Sequence, residues 1–176
     1  MQNFNLEEIS LITDIIRVIF IGLGTLYTIT KLTNEKDFTK IQKMLMLIIT
    51  LISSSVTAII SNVADDLSGI ICFIILLSTL YSSITKKSIG YTILTSTISL
   101  SINYIMFFIA VIINFIFNNF INVNNDYINL IIIIVIYLLL TYVLFKIKKF
   151  KYGFYFLRDE NLNEHFEILI LNISII

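Results

Sequence analysis

Cysteine and histidine, the side chains most often recruited as nucleophile and base, occur once each in this chain, as Cys72 and His165. A thiol–imidazole pair works only at hydrogen-bond distance. Two long apolar runs separate the apolar segment that holds Cys72 from His165, which places the two residues at opposite surfaces of a membrane. No cysteine–histidine hydrolase chemistry follows. A lone cysteine also excludes an intramolecular disulfide, and its apolar setting predicts a buried, inert thiol. The single G-x-G, Gly22-Leu23-Gly24, lies inside an apolar run. With no strand before it and no free helix N-terminus after it, it reads as close helix packing and not as a phosphate loop. No metal or organic cofactor is expected, and the chain by itself is not expected to be an enzyme.

What remains is the chemistry of binding. Asp14 and Arg17 stand three residues apart near the start of the first apolar run. Two readings stay open: Arg17 reaches back to the membrane surface, or the pair faces other helices and holds a ligand group or an interhelical contact. In the fourth run Thr92, Ser96, Ser99, Asn103 and Asn114, with Ala110, share one helical face. Thr50, Ser54, Thr57 and Ser61 form a similar stripe in the second run, and Ser78, Ser82 and Thr85 a shorter one in the third. Such stripes either let helices approach and hydrogen-bond or line a cavity. Two short loops, Ser61–Gly69 and Asn118–Tyr127, carry Asp65, Asp66 and Asp126 and no basic residue. A ligand pocket formed by Asp65, Asp66, Asn103, Asn114 and Asp126 is the resulting expectation, suited to a small, partly apolar extracellular peptide.

These residues must be positioned by helices in a bilayer. The chain of 176 residues is 57% hydrophobic and 14% charged, whereas soluble domains run at ~45–50% and ~25%. Five apolar stretches have about the length a bilayer crossing requires, ~20 residues: Ile9–Thr30, Met44–Val63, Leu67–Thr85, Ile89–Phe117 and Ile128–Phe145. A sixth run, Phe166–Ile176, reaches only ~16 Å as a helix, about half the hydrocarbon thickness. The fold class expected is an all-α polytopic transmembrane bundle, five full spans plus a truncated sixth.

Formal net charge is zero, but its distribution is lopsided. Eleven of the twelve basic residues fall on alternate connections: Lys31, Lys36, Lys40, Lys43, Lys86, Lys87, Lys146, Lys148, Lys149, Lys151 and Arg158. The positive-inside rule then predicts a multi-pass protein of the cell membrane with its N-terminus outside. The stretch KIKKFKYGFYFLRDENLNEH, from Lys146 to His165, becomes a cytoplasmic juxtamembrane segment in which Lys146, Lys148, Lys149, Lys151 and Arg158 alternate with aromatic residues. It is tethered to the bilayer and lacks a nucleic-acid-binding module, so no nucleic-acid partner is expected. Anionic headgroups attract such a segment, as an anchor or as a docking and relay element.

The runs KKSIGYTILTSTISLSINYIMFFIAVIINFIF and KIKKFKYGFYFLRDENLNEHFEILILNISII resemble the N-terminal membrane region of clostridial GHKL-type sensor histidine kinases. These are relatives of the accessory-gene-regulator peptide receptors. The family's basic loop has the form KKFKxGFPFL; here it reads KKFKYGFYFL, with Tyr155 where relatives often carry Pro. The resemblance implies a signal-sensing module of a two-component system, present without the catalytic half, since no residue matches the phospho-accepting or ATP-binding boxes. Partners implied are the lipid bilayer, a small extracellular peptide and a second copy of the chain as a homodimer. The alternative is a small autonomous membrane protein, a transport or export accessory or an inhibitory partner of a full-length receptor.

Overall fold

Many of the large apolar side chains of this protein point outward. Ile52, Ile75, Ile105, Phe108, Phe115 and Leu139 are exposed, whereas Thr25, Thr28, Thr50, Ser54, Thr92, Ser99 and Asn103 are buried. Water would impose the reverse pattern. Lipid tails are as apolar as leucine, so burying an Ile between helices gains nothing over leaving it in hydrocarbon. Interfaces go instead to small and hydroxyl-bearing side chains that allow close approach.

The computed structural model describes residues 2–33, 38–121 and 125–147. The short sixth run and Lys148, Lys149, Lys151 and Arg158 lie outside the described residues, as does the side chain of Asp126. Five helices make up the regular structure there: α1 (Gln2–Leu32), α2 (Lys40–Val63), α3 (Asp66–Thr85), α4 (Ile89–Ile121) and α5 (Asp126–Leu144). Each contains a stretch long and apolar enough to cross a bilayer, and each coincides with an expected span to within a few residues at the ends that cross. The chain is an all-α, multi-pass membrane protein in architecture. In α1 the apolar part is Ile12–Leu32, and its 21 residues rise ~32 Å, enough to match a ~30 Å hydrocarbon core.

Local chemistry sets the helix ends. Thr39 and Gln42 form a reciprocal capping box at the start of α2, with Gln42 N donating to Thr39 Oγ1 at 3.3 Å and Thr39 N to Gln42 Oε1 at 2.9 Å. Asp65 caps α3 and Asn125 caps α5. Helix α3 closes on Lys86, whose φ of 58° is left-handed, without the glycine usual there. Its amide donates to Ser82 O at 2.8 Å, and the Ser82 hydroxyl donates to Lys87 O at 2.7 Å.

Helices α1, α2, α3 and α4 close a ring in chain order, and α5 packs against α1 and α4. Connections alternate between two ends. One end, termed acidic below, gathers the first turns of α1, the α2–α3 turn with Asp65 and Asp66, and the start of α5. The other, termed basic, carries Lys31, Lys40, Lys43, Lys86, Lys87 and Lys146. Two glycines fix the ring's tightness. A methyl group at Gly22 would collide with Ser54 Oγ of α2, and one at Gly69 of α3 with Ser61 Oγ.

Candidate functional site: a polar cavity over a closed network

Helix α1 brings Asp14 and Arg17 to the same face, one turn apart, and their side chains form an ion pair with Arg17 Nη1 3.1 Å from Asp14 Oδ1. Both side chains are part-exposed, 46% for Arg17 and 38% for Asp14. The pair lines a cavity of about 290 Å³ at the acidic end of the four-helix ring. Thr57, Ser61 and Asn62 of α2 form a second polar wall, Asp66 of α3 a third, and Tyr104 of α4 completes the circle. Val18, Ile21 and Ile70 are its apolar surfaces. Toward the middle of the bundle it narrows to an apolar crevice against Gly22, Phe73 and Leu100.

One lining group stands out by its lack of partners. Thr57 is 3% exposed, and its hydroxyl makes no hydrogen bond among the described residues. Thr50, one turn pair earlier in α2, spends its hydroxyl on the Met46 carbonyl at 2.7 Å, the usual solution for a threonine in a helix. Ser53, Ser54, Ser96 and Ser99 share the unpartnered state, but they are not lining residues of the cavity.

Deeper in the bundle the chemistry reverses. Asn103 of α4, fully buried, donates from Nδ2 to Thr28 Oγ1 of α1 at 2.8 Å and to Ser99 O at 2.7 Å. Its Oδ1 accepts from the Tyr137 hydroxyl of α5 at 2.6 Å. One amide thus ties three helices. Gly24 lies directly beneath: a methyl there would collide with the Tyr137 hydroxyl and come within 2.5 Å of Asn103 Oδ1. The Phe107 ring packs edge-on against Tyr137, centroids 5.8 Å apart, and covers the network.

At the basic end three lysines lie over tyrosines four residues away: Lys31 over Tyr27 at 5.4 Å, Lys87 over Tyr91 at 4.7 Å and Lys146 over Tyr142 at 4.7 Å from the ring centroids. Tyr27 also meets Phe145 edge-on at 5.5 Å, joining α1 to the end of α5. Amphipathic rings beside ammonium groups are what a membrane–water interface selects.

The five residues expected to form a pocket therefore separate. Asp66 lines the cavity. Asp65 is exposed and serves as the N-cap of α3, accepting from Ser68 N at 2.6 Å. That amide, with the Ser68 hydroxyl second, holds its carboxyl below the ordinary aspartate value. Asn103 is committed to the closed network. Asn114 is buried with Oδ1 unpartnered, away from the cavity walls. Asp126 begins α5 at the acidic end. Cys72 is free and half-buried rather than buried, because its position on α3 falls at the edge of the packed face.

Sequence reasoning missed Thr28, Asn62, Tyr104 and Tyr137. Tyr137 had a signal: it is the sole polar side chain between Ile131 and Leu140. The α4 stripe expected to pack between helices or to line a cavity is buried throughout, at Thr92, Ser96, Ser99, Asn103, Ala110 and Asn114, and none of these residues lines the acidic-end cavity. Compared with known proteins, the chain matches no family model, no curated protein and no solved structure.

Proposed function

We propose that the chain is a membrane-embedded sensing module that takes a small peptide at its acidic end and passes a helix rearrangement to its basic end. The observation that carries this reading is the cavity: it is partly polar, open, and walled by four different helices. A ligand there touches α1, α2, α3 and α4 together, so it can favour one arrangement of the ring over another, which is the requirement for signalling. A volume of about 290 Å³ lies at the lower edge of ordinary ligand sites, ~300–1,000 Å³. It suits one or two side chains of a peptide whose remainder stays at the rim. The resemblance of the Lys146–Ile176 stretch to peptide-sensing histidine kinases supports the same reading. On that reading the acidic end faces outside, the basic end faces the cytoplasm, and Lys146, Lys148, Lys149, Lys151 and Arg158 anchor or relay at the inner surface.

Two experiments test it. In a Cys72→Ser background, an impermeant thiol reagent applied to intact cells labels Asn122→Cys and spares Asn161→Cys; the reverse pattern overturns the orientation. For signalling, the chain is joined to the catalytic half of a GHKL-type histidine kinase and exposed to the peptide fraction of its host's spent medium. Asp66→Asn and Arg17→Gln raise the half-maximal dose, whereas Lys148→Gln with Lys149→Gln and Lys151→Gln shifts basal or maximal output at unchanged dose. Parent-like responses in every properly inserted variant would sink the proposal.

A further inference from the structure

The cavity's charges and its one buried idle hydroxyl narrow the chemistry of what it holds. Asp14 and Arg17 neutralise one another at 3.1 Å. Asp66 is the remaining charged group on the wall, and among the described residues no cation lies within ion-pair distance of it. The lining therefore carries a formal charge of −1, from two carboxylates and one guanidinium. Tyr104 also lines the cavity, and the face of an aromatic ring attracts cations. The cavity further presents the Thr57 hydroxyl, buried and without a partner, an acceptor that a donor-only ligand group would satisfy. Below these groups the walls turn apolar at Ile21 and Ile70 and close on Phe73 and Leu100.

We infer that the cavity is a site for an ammonium-type cation bearing a short apolar chain. The head sits between the Asp66 carboxylate, the Tyr104 ring and the Thr57 hydroxyl, and the chain is directed at the Ile21–Ile70 crevice. An ammonium has three donors and no acceptor, so it can serve the Asp66 carboxylate and the Thr57 hydroxyl oxygen at once. An anion would meet repulsion from Asp66 and would share Arg17 with Asp14, on a wall whose formal charge is already −1. For a peptide, the corresponding group is an N-terminal amine or a lysine side chain. This inference rests on the reading of the cavity as a ligand site and specifies the class of ligand.

The test uses the full chain in lipid nanodiscs with isotope-labelled isoleucine δ-methyl groups, titrated separately with n-hexylammonium, n-hexanol and hexanoate. Hexylammonium produces saturable shifts at Ile21 and Ile70, while hexanol and hexanoate give only the unsaturable drift of partition into lipid. Asp66→Asn weakens hexylammonium about tenfold, the scale of one charged hydrogen bond. Thr57→Val, close in shape, weakens it about threefold, the low end of a neutral hydrogen bond. Spectra of both variants without probe report whether the bundle is intact, so a folding defect is distinguished from a binding one. Equal or tighter binding of hexanoate or hexanol, or hexylammonium binding unchanged in Asp66→Asn, overturns the ammonium assignment and leaves the sensing proposal standing. No saturable shift from any probe overturns the assignment as well. The dose–response assay above judges the sensing proposal independently of these titrations.

Discussion

The cavity and the Asn103 network occupy successive turns of α1 and adjoining positions of α4 and use the same kinds of side chain, yet they differ in how their central groups are hydrogen-bonded. Around Asn103 both amide atoms are paired, and the site is sealed by Phe107 and by a glycine that leaves no spare room. Around Thr57 a buried hydroxyl has no partner and a carboxylate faces open space. A buried polar group left unpaired costs about 1–3 kcal/mol. Ser53, Ser54, Ser96 and Ser99 share that state, so what sets Thr57 apart is that it borders a cavity with a carboxylate unpaired among the described residues. The difference teaches that the first region ties helices together, whereas the second, on the reading proposed above, is completed by a ligand.

The largest expected effect comes from filling the space under the closed network. Gly24→Ala pushes a methyl into the Tyr137 hydroxyl and Asn103 Oδ1, and overpacking of a tight site costs about 1–3 kcal/mol. Unfolding by sodium dodecyl sulfate titration, followed by circular dichroism, should show a loss toward the upper end of that range. Stability equal to the parent would mean that α1 and α5 can separate freely, and the network would not be the clamp described here.

Next in size is Asn103→Leu. It removes three hydrogen bonds and leaves the Tyr137 hydroxyl and Thr28 without their partner. Membrane hydrogen bonds average ~0.6 kcal/mol and reach ~1.7 kcal/mol, so a loss of about 1–2 kcal/mol is expected. Tyr137→Phe alone should cost less, and the double variant should lose less than the sum of the two, because both delete the same bond. Additive losses in the same unfolding assay would show that Asn103 and Tyr137 act independently.

Much of this arrangement was legible in the sequence, for reasons that lie in the bilayer. Long apolar runs must become helices because hydrocarbon offers no partner for free backbone groups, so all five spans could be placed. The α4 stripe could be assigned to the buried face because an inverted pattern, polar inward and Ile outward, follows from lipid as solvent. What the sequence did not reveal is which polar residue meets which. Asn103 and Thr28 are 75 positions apart, and no local periodicity encodes that a Thr on α1 and a Tyr on α5 will saturate one amide. The same limit grouped Asp65 with Asp66 as pocket residues. Adjacent in the chain, they differ because a helix begins between them: the N-cap position turns one carboxylate onto Ser68, while the other lines the cavity.

On the cavity side of the comparison the stability effects shrink. The Asp14–Arg17 pair is part-exposed, 46% for Arg17 and 38% for Asp14, and pairs of that kind contribute ~0–1 kcal/mol. Arg17→Gln should therefore leave unfolding nearly unchanged. A loss as large as that of Asn103→Leu would move the pair from the ligand site to the scaffold.

The smallest effect separates the two neighbouring aspartates. Asp65→Ala deletes the acceptor of the Ser68 amide, so exchange of that amide with solvent should quicken while hexylammonium titrations at Ile70 stay as in the parent. Asp66→Asn should do the reverse. The pH dependence has a definite sign. The native Asp65 carboxyl is held below its ordinary value, so its cap contributes fully above the unfolded aspartate value of about 3.9. That contribution disappears as pH falls through the lower native value. Protection of the Ser68 amide, corrected for intrinsic exchange, should fall over that acid window in the parent. It should stay flat in Asp65→Asn, where an uncharged side chain of the same shape keeps an oxygen at the cap. A flat profile in the parent would show that the charge on Asp65 is not what holds the first turn of α3. Faster Ser68 exchange in Asp66→Asn would show that the cap and the cavity wall are one structure, and the division drawn between these two residues would fail.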